Sequence, residues 1–310
     1  MKEIGGYFEL ECGKNPLFHK DGIYLNICRS GFRYLIRALD IKKIYVPIFT
    51  CNVVYDAIKQ EGCEIIPYHL NEDMLPAVAF NPTDYIIYNN YFGVLGKNVA
   101  ELAKQYPNLI VDNAQAFYST PKGLADVYSP RKFFGLPDSG ILCGRNLPEL
   151  DLAQGHSIDV SSHLLRRLDY DAQSGYEEFA RNDKALEQYS LQYISPLTFA
   201  LMGNIDYERI KQKRLENFKY LHERLQSVFP FAMSEDDVPM VYPYVVENGR
   251  NLRKRLMSEK IYVAKYWPNV QEWCEPGEWE YQLTDIVVPL PIDQRYGIGD
   301  MDKIISTVCK

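Results

Sequence analysis

Apolar positions along the chain recur with two periods, and the period changes where glycine, proline or asparagine interrupts it. Phe32, Leu35, Ile36 and Leu39 fall at i, i+3, i+4 and i+7, which is one apolar face of a helix. Arg33 and Arg37 stand on its other side, and Ser30 is placed to cap its start. Residues 43–46 read as a strand closed by Pro47. Residues 50–61 read as a helix with Val53, Val54, Ala57 and Ile58 inward, stopped by Gly62. Strands over 63–68 and 85–88 follow, the second running into Asn89 and Asn90. A short helix over 98–106 ends at Pro107, and 109–111 is the next strand. Two further short strands are expected at 125–129 and 139–143, and residues 1 to about 25 read as irregular.

From 147 to 190 the sequence turns polar and helix-rich. Residues 206–228 form a long amphipathic pattern with Tyr207, Ile210, Phe218, Leu221, Leu225 and Val228 as its stripe. Its basic residues (Arg209, Lys211, Lys213, Arg214, Lys219 and Arg224) alternate with Glu208, Glu216 and Glu223, the pattern of a solvated, ion-paired face. Strands at 239–246, 261–263 and 286–290 and helices at 251–258 and 299–308 complete the chain. Strand and helix alternate through the first half, as in an α/β protein with a largely parallel sheet and helices on both faces. The reading gives a large domain over 1–205, with a helical connecting region over about 147–205. A small C-terminal α+β domain follows over 206–310. Ligands of such sheets bind beyond the carboxyl ends of the strands, where Asn89, Asn90 and Asp112 fall.

With 310 residues, 46% hydrophobic and 24% charged, the chain can bury one large core and a smaller one. Its net charge of -7 argues against nucleic acid, whose phosphates demand a basic surface. No apolar run reaches the length of a membrane span, and none follows Met1 as a signal peptide would require. A cytoplasmic protein is expected. The seven cysteines (12, 28, 51, 63, 143, 274 and 309) contain no Cys-x-x-Cys pair, so reduced, mostly buried thiols are expected. The five histidines show no ligand spacing, and no metal is expected.

Residues 109–142 carry the candidate chemistry. The strand Leu109, Ile110, Val111 ends on Asp112, followed by Asn113, Ala114, Gln115 and Ala116. After a loop, Lys132 sits between Ser129, Pro130 and Arg131 and the run Phe133, Phe134, Gly135. An acid at a strand end and a nearby lysine are the two groups a pyridoxal phosphate site needs. The acid pairs with the pyridine nitrogen, and the lysine holds the cofactor and shuttles protons. The lysine must lose a proton to act as a nucleophile. Arg131 and the aromatic pair Phe133 and Phe134 are placed to supply an electropositive, desolvated setting. Ser30 and Gly31 at a helix start form a candidate phosphate cradle.

Through much of residues 26–145 these motifs resemble the DegT/StrS-type aminotransferases, fold type I pyridoxal phosphate enzymes that mostly aminate nucleotide-linked keto-sugars. The matching motifs are Ser30-Gly31-Phe32 and Pro47-Ile48-Phe49-Thr50-Cys51. Asp112-Asn113-Ala114-Gln115-Ala116 and Ser129 through Lys132 to Ser139-Gly140 complete the match. The resemblance implies a seven-stranded-type, mostly parallel sheet. It implies that Asp112 holds the pyridine nitrogen, Gln115 the phenolic oxygen and Lys132 the cofactor as a Schiff base. Ser30, Gly31, Phe32 and Ser129 would surround the phosphate, and Cys51 would occupy the ring-stacking position. Glutamate as donor, a keto-sugar-like acceptor and a homodimer are also implied. Lys132 argues against the family's sugar dehydratases, which carry histidine there. The sequence departs from the pattern in four places. Cys51 replaces the stacking aromatic, and Phe32 replaces a threonine. The interval from Ser129 to Lys132 is two residues short. The segment 194–198 lacks the asparagine that reaches the phosphate across the dimer. A relative that keeps the fold in a binding or regulatory role, or another pyridoxal phosphate reaction, is the alternative reading.

Overall fold

The computed structural model describes residues 4–310. Nine strands and eleven α-helices are formed among the described residues. Strands β1 (Ile23–Leu25), β2 (Lys43–Pro47), β3 (Glu64–Tyr68), β4 (Ile86–Asn89), β5 (Leu109–Asn113), β6 (Ala125–Tyr128) and β7 (Gly140–Gly144) make one seven-stranded sheet. Its order is β1-β7-β6-β5-β4-β2-β3. The run from β3 through β6 is parallel, while β7 pairs antiparallel with both β6 and β1. The expected α/β fold with a mostly parallel sheet is therefore present. Helices α1 (Arg29–Leu39), α2 (Asn52–Gln60) and α3 (Gly96–Gln105) connect the parallel strands. Helices α4 (Ser162–Asp169), α5 (Tyr176–Leu186) and α6 (Pro196–Met202) occupy the polar region after β7.

The central strands are apolar on both faces because both faces are covered. Ile87 and Ile110 point into one core with Phe32, Leu35, Ile44, Val54 and Val127. Their neighbours Ile86, Tyr88, Leu109 and Val111 point into a second core on the other face. This alternation is the two-residue period of a strand. The second core also contains Phe218, Leu221, Val288, Leu290 and Ile304 from the C-terminal third. There, α7 (Tyr207–Leu225), α8 (Gly249–Ser258), α9 (Val270–Trp273), α10 (Trp279–Ile286) and α11 (Ile298–Val308) pack around two antiparallel strands, β8 (Val241–Val245) and β9 (Val287–Pro291).

Four expectations are corrected. Helix α1 begins at Arg29, and Ser30 does not cap it: its hydroxyl donates to Asn26 Oδ1 at 2.7 Å. Residues 23–25, read as irregular, form the edge strand β1. No strand forms at 261–263. Lys260 turns left-handed at φ 60°, and the Ile261 N–H returns to the Leu256 carbonyl at the end of α8. Helix α7 stops at Leu225, which leaves Val228 exposed outside its stripe.

Candidate active site

The sheet's register brings the acid to the centre of a crevice. Asp112 is opposite Asn89 on one side and Val127 on the other, at the carboxyl ends of three neighbouring parallel strands. Successive strand side chains point to opposite faces. Asp112 lines the pocket, while Asn113 turns the other way and donates to Asp126 Oδ1 at 2.8 Å. Asp112 Oδ1 accepts from the Ala114 N–H at 2.8 Å, which fixes the carboxylate's orientation. Burial pushes its pKa up, and the charge on Lys132 and the Ala114 N–H pull it back. A cation brought against this carboxylate therefore gains from a poorly solvated anion.

Gln115 is held by the loop after β4. Its Oε1 accepts from the Phe92 N–H at 2.8 Å, so its Nε2 is buried in the pocket wall without a partner. The loop needs left-handed backbone at Phe92 (φ 57°) and Gly93 (φ 70°). A Cβ on Gly93 would come within 2.7 Å of the Gln115 carbonyl, so glycine is required there on both counts. A buried donor without an acceptor is costly, and a ligand oxygen at this position would remove that cost. Asn89 adds an unpaired acceptor to the same pocket. Its Nδ2 donates to Thr50 Oγ1 at 2.9 Å, and its Oδ1 has no partner.

Ser129 follows β6, and Lys132 ends the 3-10 turn Pro130–Lys132. Both line the same pocket as Asp112 and Gln115. Ser129 is buried and Lys132 is exposed. The desolvated setting expected around Lys132 is thus absent. Phe133 and Phe134 turn into an aromatic cluster with Phe117, Tyr118 and Tyr207 and do not cover the amine. Arg131 is neutralised by Asp183 of α5 at 2.8 Å. What holds the turn comes from behind it. Arg214 is buried and places its guanidinium 4.5 Å from the centre of the Phe133 ring. It also donates to the Met240 carbonyl at 3.0 Å. Gln294 Nε2 donates to the Phe133 carbonyl at 2.7 Å. Arg214 is therefore not part of a solvated face.

Of the expected phosphate residues, Ser30 and Gly31 fall outside the pocket's lining, while Phe32 and Ser129 lie within it. The N–H groups of Ser30 and Gly31 close a turn on the carbonyls of Ile27 and Cys28. Glycine at 31 has a packing reason: a Cβ there would lie 2.6 Å from Val127 Cγ1. Cys51 lines the pocket, as does Trp267. Trp267 is held edge-on to Phe49 with ring centres 5.1 Å apart. Its segment is tied to the pocket wall by Asn269 Nδ2, which donates to the Thr50 carbonyl at 3.0 Å. Trp267 and Arg29 are also in the lining and were not among the site residues expected from the sequence. Trp267 stands 155 positions beyond Asp112 in the chain, and no local pattern connects the two.

No family model matches the chain, and no curated protein matches it. Solved structures do. TlmJ from Streptoalloteichus hindustanus, an aminotransferase, aligns at TM-score 0.64 and 16% identity over 96% of this chain and 91% of its own. The fold is that of an aminotransferase. Helicobacter pylori PseC, an aminotransferase involved in pseudoaminic acid biosynthesis, aligns at TM-score 0.62 and 12% identity, covering 93% and 85% of the two chains. S. venezuelae DesV, solved with a ketimine intermediate, aligns at TM-score 0.61 and 15% identity over 96% and 85%. The aminotransferase fold therefore extends over nearly the whole chain, including the C-terminal third, where the sequence resemblance is thin.

Proposed function

We propose that this chain is a pyridoxal phosphate-dependent aminotransferase that moves an amino group from glutamate to a keto-sugar or similar carbonyl substrate. One observation carries the reading: a buried carboxylate, an unpaired amide donor and an open lysine amine line one pocket at the strand ends of an aminotransferase fold. The residues suit the cofactor's polar groups. The free oxygen of Asp112 would hold a protonated ring nitrogen through a charge-assisted bond. Gln115 Nε2 would donate to the ring's phenolic oxygen, and the Ser129 hydroxyl would bind the phosphate. When bound, pyridoxal phosphate supplies an electron sink for the substrate's α-carbon.

Lys132 is the one amine among the pocket's lining residues. Its Nζ would hold the cofactor and is the group available to move a proton at the reacting carbon. Asp112 would keep the ring nitrogen protonated. Trp267 and Phe32 line the pocket and would help to exclude water from it. The keto-sugar and glutamate assignments rest on the motif resemblance and on the sugar-directed relatives of the same fold.

A homodimer belongs to this proposal. Leu165 and Leu168 on α4, Tyr170 just after it, and Tyr176 and Phe179 on α5 are exposed, and Asp183 of α5 reaches the pocket. A second copy packed on this ridge would cover Lys132. The cytoplasmic assignment is supported by seven cysteines that are all free. No helix among the described residues is long and apolar enough to cross a membrane.

The test is a half-reaction. Protein loaded with pyridoxal phosphate and given excess glutamate, without acceptor, should convert its visible cofactor band to the pyridoxamine phosphate band. Asp112→Asn should slow that conversion by at least 100-fold while the cofactor still binds. A loaded protein whose spectrum never responds to glutamate or other amino acids would refute the aminotransferase reading. It would favour the binding role, for which Cys51 at the stacking position is the observation.

A further inference from the structure

Arg29 is the first residue of α1 and lies on the pocket wall, half-buried. The other arginines nearby are committed. Arg33 and Arg37 both bind Glu61 at 2.6 Å, and Arg131 binds Asp183. The Arg29 guanidinium has no hydrogen-bond or ion-pair partner among the described residues. Asp56 and Glu187 border the groove on its outer side, and neither is within ion-pair distance. A half-buried cation without a counter-ion calls for an anion.

The fold also states where that anion would lie. Gly31 lets α1 settle directly on Val127 of β6, where a Cβ would come within 2.6 Å of Val127 Cγ1. Val127 is the register partner of Asp112, and Ser129 stands two residues beyond it. Strand spacing and rise put Ser129 roughly 8 Å from Asp112. Ser129 is buried and lines the pocket. Arg29 lines the same pocket from the first turn of α1, whose dipole is positive there. The Asp112 end suits a ring nitrogen, and the Ser129 end suits a phosphate.

We propose that Arg29 supplies, from within the same chain, the charged contact to the cofactor's phosphate monoester. Phe32 offers this pocket no hydroxyl, and Arg29 is the lining guanidinium that is not already ion-paired. This rests on the pyridoxal phosphate reading above.

The experiment compares equilibrium binding of pyridoxal phosphate and of pyridoxal, which lacks the phosphate, by tryptophan fluorescence and visible absorbance. Wild type, Arg29→Lys and Arg29→Gln are measured, with thermal unfolding as a fold control. Loss of a charge-assisted bond should weaken pyridoxal phosphate binding 10- to 100-fold in Arg29→Gln, with Arg29→Lys in between. Pyridoxal affinity should stay within twofold of wild type. Equal weakening of both ligands would mean a structural role and overturn the proposal. So would unchanged pyridoxal phosphate affinity accompanied by a raised KM for glutamate, which would assign Arg29 to the donor's carboxylate. If wild type binds neither ligand, the cofactor reading itself falls.

Discussion

Arg214 shows how much a single side chain can change role between sequence and fold. In the amphipathic pattern of 206–228 it is one of six basic residues on a charged face. In the structure it is buried against the turn that carries Lys132, and burial lowers its pKa to about 10. Its guanidinium is held by carbonyl oxygens and an aromatic face, with Asp293 acting on it from beyond ion-pair distance. Arg214→Ala should destabilise the protein by about 2–4 kcal/mol through the lost ring contact, unpaired carbonyls and a cavity. Urea unfolding measures this, and a loss under 0.5 kcal/mol would show that the contact contributes nothing (roughly the scale of a surface substitution). The acid, the amide and the lysine were legible in the sequence because two short motifs contain all three. Arg29 and Trp267 were not. A charged residue beside a helix start and a tryptophan in a distant segment acquire meaning only when the fold places them on the pocket wall.

At the scale of elements, most helices and strands were legible because both periods are strong in the first half of the chain. The failures have local physical causes. Strand β1 is three residues long and owes its extended form to β7, with which it pairs. Residues 261–263 have strand composition, yet the chain leaving α8 is pulled back onto the helix end and finds no neighbouring strand. Helices α1 and α2 are locked by Glu61, which binds Arg33 and Arg37 at once. Burial works against the Glu61 charge, and hydrogen bonds from Arg37 and Arg33 overcome it, so its pKa is held below the ordinary 4.5. A depressed folded pKa gives stability that is present above the unfolded value and is lost as pH falls through the folded one. Wild type should therefore lose stability from about pH 4.5 downward. Glu61→Gln should be less stable by about 2 kcal/mol at neutral pH and should show a shallower acid limb. Urea midpoints across pH 3 to 7 test this, and parallel curves for the two proteins would contradict it.

At the scale of the whole molecule, the seven-stranded sheet positions the site and the C-terminal third closes it. We propose a division near residue 205, with residues 206–310 as a smaller unit. The core on one face of the sheet nevertheless continues into that unit through Phe218, Leu221, Val288 and Leu290. Trp267 and Asn269 from the same third reach the pocket wall. The resemblance in the sequence is concentrated before residue 145, where most of the pocket-lining residues fall. The C-terminal third keeps only shape, which a structural comparison detects at 12–16% identity. The central claim is that Asp112, Gln115, Ser129 and Lys132 form one cofactor clamp with Lys132 as its covalent anchor. Borohydride reduction of the protein loaded with pyridoxal phosphate, followed by peptide mass mapping, tests it most directly. The account predicts a single phosphopyridoxyl adduct on the peptide containing Lys132, absent in Lys132→Ala. No adduct, or an adduct on another lysine that persists in Lys132→Ala, would contradict it.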